Sequence, residues 1–229
     1  SMKTIKNTLA LLGCLTLFMA YTHAENKAMD LPENQFVTLT FHDVRNDVAR
    51  QGDRDQYAIS TEYLAQYFAW LKREGWKTIS LEDIRRAREK KIPLPEKSVL
   101  LTFDDGALSG YTQVFPLLKQ YKLHAVFAIP TSWIGTKHKD AIESYGGNNL
   151  MNWDQMREMQ NSGLVEFVSH SHNLHRGVIS NPQRNMQPAA TARIYDLTKA
   201  RYESDLAYRQ RVLEDLKRSK AILEQELSV

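Results

Sequence analysis

The chain has 229 residues, 42% of them hydrophobic, 25% charged and 10% aromatic, which excludes a disordered or fibrous protein and makes one globular domain the default. Lys and Arg number 30 against 27 Asp and Glu; with Lys3 and Lys6 of the first 24 residues set aside, 28 basic groups face 27 acidic ones, excluding a charge-driven nucleic-acid binder. The single cysteine, Cys14, excludes an internal disulfide framework and a cysteine-built zinc site, so chemistry must come from His, carboxylates or hydroxyls.

Lys3 and Lys6 precede the apolar run Leu9 to Tyr21, and Thr22-His23-Ala24 offers small-residue cleavage ahead of polar Glu25-Asn26-Lys27. This pattern predicts a secretory signal over residues 1–24 and an exported, periplasmic protein. A competing reading is lipoprotein processing: Leu11-Leu12-Gly13-Cys14 resembles a bacterial lipobox and would put a lipid anchor on Cys14, making an outer-membrane lipoprotein. No segment approaches the roughly 20 apolar residues that a membrane span needs.

Residues 25–34 read as a polar leader, and one domain is expected over 35–229. Phe36-Val37-Thr38-Leu39-Thr40-Phe41 has the β-branched and aromatic content of a strand, with His42-Asp43 at its carboxyl end. Arg45 to Tyr57 reads as a charged loop. Ser60-Thr61 then cap a helix in which Tyr63, Leu64, Tyr67, Phe68 and Leu71 recur at helical spacing up to Gly75. Thr78-Ile79 is a short strand candidate, and Ser80 with Asp83 marks the next helix start. Its basic stretch Arg85 to Lys91 is most simply a solvated face.

Ser98 to Phe103 is nearly continuous apolar sequence of the kind buried in parallel sheets, closed by Asp104-Asp105-Gly106. A helix over 111–121, a strand over 124–129, a loop to Asn149, a helix over 153–161 stopped by Gly163, and a strand over 164–169 follow. Residues 173–191 read as loop. Ser204 caps a last helix with Leu206, Leu213, Leu216, Leu223 and Leu227 along one side. Strands alternating with helices predict an α/β fold, a parallel sheet or barrel whose reactive groups gather at the strands' carboxyl ends, where His42, Asp104, Asp105 and the histidine cluster all fall.

Adjacent carboxylates raise each other's pKa unless a cation or hydrogen bonds take up the charge. A metal on one of them would leave the other free to accept a proton. Read blandly, Asp-Asp-Gly is a turn, with Gly supplying a positive φ. His170, His172 and His175, three imidazoles within six residues at a strand end, point more specifically to metal ligation. Spacing leaves the pairing open. His170 and His172 share a face in a strand, His172 and His175 share one in a helix, and His170 and His175 converge only across a turn. Two histidines and a carboxylate form a hydrolytic metal site that accepts zinc, nickel, cobalt or iron. His42 is a general-acid candidate at the same mouth, or a strand-end histidine bonded to Asp43. Trp133, Tyr145 and Trp153 read as core or sugar-groove aromatics, and His124 and His138 as ordinary surface or core histidines.

Thr102-Phe103-Asp104-Asp105-Gly106, followed some 65 residues later by Ser169-His170-Ser171-His172-Asn173-Leu174-His175, resembles the first two motifs of the polysaccharide deacetylase family, the NodB-homology carbohydrate esterases. Phe41-His42-Asp43-Val44 ahead of these motifs, with the five-residue step from His170 to His175, is similar to the PgaB-type poly-β-1,6-N-acetyl-D-glucosamine N-deacetylases of biofilm export. The resemblance covers about residues 35 to 180. It implies an incomplete (β/α) barrel in which Asp105, His170 and His175 bind one divalent cation, Asp104 is general base and His42 general acid. His172 is then a bystander. It further implies an N-acetylglucosamine polysaccharide substrate and work beside outer-membrane export machinery. Deacetylation of peptidoglycan, chitin or xylan, and a non-catalytic polysaccharide-binding remnant, are the alternatives. The family's downstream segment resembling Trp-Pro-Tyr-Gly does not follow His175, so a domain truncated at its C-terminus is expected.

Overall fold

The computed structural model describes residues 34–48, 55–90, 92–146 and 149–229, so the expected signal, the Cys14 lipobox and nearly all of the leader lie outside the described residues. The strands are β1 (Val37–Phe41), β2 (Asp43–Arg45), β3 (Ala58–Ser60), β4 (Lys77–Thr78), β5 (Ser98–Asp104), β6 (Ala125–Ile129), β7 (Val165–Ser169), β8 (Gly177–Ile179), β9 (Met186–Pro188), β10 (Tyr195–Asp196) and β11 (Arg201–Tyr202). The helices are α1 (Thr61–Arg73), α2 (Leu81–Arg88), α3 (Phe115–Tyr121), α4 (Lys139–Tyr145), α5 (Trp153–Asn161) and α6 (Asp205–Leu227), with a π-helical turn over Gly110–Val114 leading into α3. No described helix is long and apolar enough to cross a membrane.

One parallel sheet of five strands organises the molecule, in the order β1-β5-β6-β7 with β4 beside the start of β5. The register aligns one phenylalanine from each long strand: Phe41 opposite Phe103, Phe103 opposite Phe127, and Phe127 opposite Phe167. Their ring centroids step across the sheet at 5.2, 4.9 and 5.8 Å. This ladder is the spine of the main core, which α1, α3, α5 and the end of α6 cover with Leu64, Phe68, Leu118, Met156, Met159 and Leu223.

Because side chains alternate between the faces of a strand, residues one step from the ladder point to the opposite face. There Leu100, Val126 and Val168 form a smaller cluster with Ile79 and Ala87 of the α2 region. Further along the same face, Thr102 donates a hydrogen bond to Thr40 (2.8 Å), and polarity increases toward Asp104 and His170 at the strand ends. The packing of one face therefore fixes which residues reach the polar rim on the other.

Capping follows the sequence. Ser60, Ser80 and Ser204 accept from backbone N–H groups of α1, α2 and α6, and Ser80 with Asp83 forms a reciprocal capping box. Several expectations need correction. The supposed loop after Arg45 begins and ends in a parallel pair, β2 with β3. Helix α4 lies within the span read as loop to Asn149, and the span 173–191 contains the hairpin β8–β9. Along α6, Leu223 and Leu227 are buried while Leu206, Leu213 and Leu216 stand exposed, so the leucine side packs only over its last turns.

Phe127 sits at the centre of the ladder, and a Cβ placed on Gly110 would come within 2.8 Å of its ring. Phe127→Ala is expected to lower stability by about 3–5 kcal/mol, the usual cost of removing a core phenylalanine, as read from urea unfolding midpoints.

Candidate metal centre

Asp105 follows the last residue of β5 and donates its backbone N–H to the Ala128 carbonyl (3.0 Å), continuing the ladder one step beyond the strand. It then turns sharply: Asp105 and Gly106 both hold left-handed φ values, 73° and 71°. For Gly106 this is permissive; for Asp it is one of the few non-glycine choices tolerated. The Asp-Asp-Gly segment is thus a turn, as its bland reading expects, and one that also aims a carboxylate inward. The turn carries the Asp105 side chain into the interior, where the residue is 5% exposed.

Opposite it, His170 donates its backbone N–H to the Ile129 carbonyl at the end of β6 (2.9 Å). Ser171 then adopts φ 68°, and its hydroxyl accepts from the Leu174 N–H (3.0 Å), so the chain reverses within four residues. That reversal settles the pairing left open by spacing, and His170 and His175 face one another with ring centroids 5.0 Å apart. Their Nε2 atoms lie 3.4 and 3.2 Å from Asp105 Oδ1. His172 turns away: its Nδ1 pairs with the Thr131 hydroxyl (3.0 Å), which donates to Ser219 (3.3 Å).

Asp105 Oδ1 is buried and has no hydrogen-bond donor, whereas Oδ2 accepts from the Tyr145 hydroxyl (2.7 Å). A buried carboxylate oxygen left without a donor is costly unless something else satisfies it. One ligand atom each from Asp105, His170 and His175 lies within 4.8 Å of the others, the one such group of metal-ligating residues among the described residues. The separations from Oδ1 are those of ligands sharing one centre at about 2.0–2.2 Å from each, and the donor set suits a divalent transition metal. The residues fit the ion.

Burial pushes the Asp105 carboxyl upward, but His170, His175 and Tyr145 together hold it far below the ordinary carboxylate range. The same contact with Asp105 raises the His175 imidazole against the effect of its own burial. Burial likewise raises Asp104, with the Asp105 charge adding to it and the imidazoles of His170, His42 and His175 opposing. Asp104 is only partly covered, and its Oδ2 lies 3.9 Å from His42 Nε2. His42 does not depend on Asp43, which instead accepts from Ser109 (2.7 Å) and pairs with Arg45 (3.3 Å). All five expected site residues therefore meet at one rim.

The ligand loop is braced from behind. Asp215 of α6 accepts from the backbone N–H groups of His172 (2.8 Å) and Asn173 (2.7 Å). Thr131 and Ser132 donate theirs to the carbonyls of Ser171 (3.1 Å) and His172 (3.0 Å). Trp133, fully buried, stands edge-on to His175 at 4.9 Å. His138 caps α4 and reaches Asn173 Oδ1 (3.0 Å), a role sequence reasoning missed. An open groove of about 690 Å³ runs against His170 and His175, walled by Leu174, Met186, Pro188 and Ala190. A larger hollow of about 780 Å³ between β1 and α1 is lined by Phe41, Ile59 and Tyr67 and contains no such ligand set.

A family model described as polysaccharide deacetylase matches residues 91–227. The poly-β-1,6-N-acetyl-D-glucosamine N-deacetylase of Escherichia coli (strain K12) is 37% identical over 187 residues, 79% of this chain but 27% of that protein, so the chain spans little more than a quarter of that relative. Among solved structures, a de-N-acetylase from Aggregatibacter actinomycetemcomitans superposes with a TM-score of 0.78 at 36% identity, covering 85% of this chain and 76% of that one. The BpsB deacetylase domain from Bordetella bronchiseptica gives 0.73 at 41% identity, covering 87% and 79% respectively.

The geometry separates the three imidazoles. After chelation and reloading with zinc, elemental analysis should find one ion per wild-type chain and per His172→Ala chain, and a large loss of bound zinc in His170→Ala and His175→Ala.

Proposed function

The chain belongs to the polysaccharide deacetylase family, and from that premise we propose that it is a divalent-metal-dependent hydrolase that removes N-acetyl groups from poly-β-1,6-N-acetyl-D-glucosamine and releases acetate. The observation that carries this reading is the buried, donor-free oxygen of Asp105 facing two imidazoles, with a second carboxylate and a further imidazole beside it. Support for the polymer comes from the names of the relatives and from the His170 to His175 step.

Asp105, His170 and His175 would hold zinc, nickel, cobalt or iron. Such an ion, when bound, supplies Lewis acidity that acidifies water and polarises an amide carbonyl. The remaining work falls to the chain's own side chains. Asp104, whose proton affinity is raised by burial, takes a proton from the attacking water at its carboxylate. The new C–O bond makes a tetrahedral carbon, and the C–N bond then breaks. Protonated His42 delivers its Nε2 proton to the departing sugar nitrogen, leaving acetate and a glucosamine unit. His42 Nε2 and Asp104 Oδ2 stand 3.9 Å apart, beyond direct hydrogen-bond reach, so the proton that resets them would pass between them through one water.

The groove beside His170 and His175, with its apolar Leu174, Met186 and Pro188 wall, offers a surface for the flat face of a pyranose ring. In this reading the protein works in the periplasm on polymer moving toward outer-membrane export machinery. The basic and apolar run of residues 3–21 supports export, by cleavage after Ala24 or by lipid attachment at Cys14.

Ion-loaded wild-type protein should release acetate from N-acetylglucosamine oligomers of β-1,6 linkage. Asp104→Asn is expected to slow release by about 100- to 10,000-fold while keeping its ion, the span typical of a lost general base. Ion binding with no release from any N-acetylated glycan would instead identify a non-catalytic polysaccharide-binding protein.

A further inference from the structure

The two oxygens of Asp105 live in different surroundings. Oδ1 is buried, has no donor, and faces the Nε2 atoms of His170 and His175. Oδ2 is engaged by the Tyr145 hydroxyl at 2.7 Å. A free carboxylate can present one oxygen or both to a cation; one whose second oxygen accepts a short hydrogen bond is committed to presenting the first. We propose that Tyr145 is a positioning residue that makes Asp105 a one-oxygen ligand and so keeps a coordination position open for water or a substrate carbonyl. The proposal rests on the reading of Asp105, His170 and His175 as cation ligands.

Tyr145 is well placed to enforce this because it belongs to a brace rather than to a free loop. It is the last residue of α4, and its backbone carbonyl accepts from the Asn149 side chain. Its ring packs near the buried indole of Trp133 (6.4 Å), whose other contacts include the edge-on approach to His175. The cap of the same short helix, His138, is hydrogen-bonded to Asn173 in the ligand loop. One end of α4 therefore touches the loop between the two histidine ligands while its other end touches the carboxylate ligand. A helix spanning both fixes the spacing between groups delivered by β5 and by β7.

The consequence concerns coordination number as well as affinity. With the hydroxyl gone, Asp105 would lose the hydrogen bond that orients Oδ1 toward His170 and His175, so it would hold an ion less tightly, and Oδ2 would be free to share that ion and close the position a water or substrate carbonyl would take. Tyr145→Phe isolates this effect because it keeps the ring against Trp133 and removes one oxygen. Tyr111→Phe is the control, since the Tyr111 hydroxyl makes a comparable bond to Glu158 (2.6 Å), and no hydrogen bond or ion pair among the described residues joins either one to Asp105, His170 or His175.

The experiment is a chelator-competition titration of Co²⁺ into the wild-type chain and both variants, with the visible spectrum of each Co²⁺ complex recorded and ion-free melting temperatures compared. The expected result is about 10- to 100-fold weaker Co²⁺ binding by Tyr145→Phe, the usual effect of losing a partner to a ligand. Its visible bands should also weaken and shift toward higher coordination, with Tyr111→Phe matching wild type in both. Unchanged affinity and spectrum in Tyr145→Phe would overturn the inference and leave the metal centre standing. Weaker binding with an unchanged spectrum would also overturn it, by showing that Tyr145 only packs. Absence of Co²⁺ binding by the wild-type chain would overturn the metal centre itself, and the inference with it.

Discussion

A single carboxylate oxygen, Asp105 Oδ1, dictates the organisation of this site. It is enclosed by protein, carries the negative charge of a strongly acidic group, and lacks a donor of its own. Burial of such an atom is tolerated only where positive charge is brought to it. In the ion-free chain the raised proton affinity of His175 partly answers that need. A divalent cation held by Asp105, His170 and His175 would answer it more fully, in competition with that proton, as metal binding ordinarily couples to protonation.

The fold delivers this arrangement through the sheet. Parallel strands bring all their carboxyl ends to one rim, and the phenylalanine ladder locks the register so that Asp104 and His170 emerge on the face opposite the main core. A slip of one residue in β5 would exchange the faces and send Asp104 into the phenylalanine layer. Left-handed turns at Asp105 and Ser171 then redirect the chain inward. Behind them, α4 and α6 provide a polar backing through Tyr145, His138, Asp215 and Ser219, so that the ligands are held from two sides. Preorganisation of this kind sets the difference between a site that binds and one that is merely near.

Much of this could be read from residue order. The apolar run Ser98 to Phe103 and the alternation of strands with helices located the sheet, and adjacency to strand ends located Asp104, Asp105 and the histidines. What could not be read was set by backbone conformation or by distant partners. The family resemblance implies His170 and His175 over His172, but residue spacing alone leaves that choice open, because it depends on φ at Ser171. Tyr145 and Trp133 carried only the generic signal of aromatics in a connecting segment, and their meaning came from Asp105 and His175, 40 and 42 residues away in sequence. Helix α4 and the hairpin β8–β9 escape a periodicity reading because they are short, seven residues for the helix and three for each strand, and stabilised by tertiary contacts. Three of the five leucines along α6 are exposed because periodicity shows that a helix has an apolar side, and not how far a neighbour extends along it.

The most direct measurement is anomalous diffraction from crystals of the zinc-loaded chain, collected at the zinc absorption edge. The expected result is one strong peak within about 2.0–2.2 Å of Asp105 Oδ1 and of the Nε2 atoms of His170 and His175. A peak at His172, or no peak between the three side chains in protein that retains its fold, would contradict the assignment on which the proposed chemistry depends.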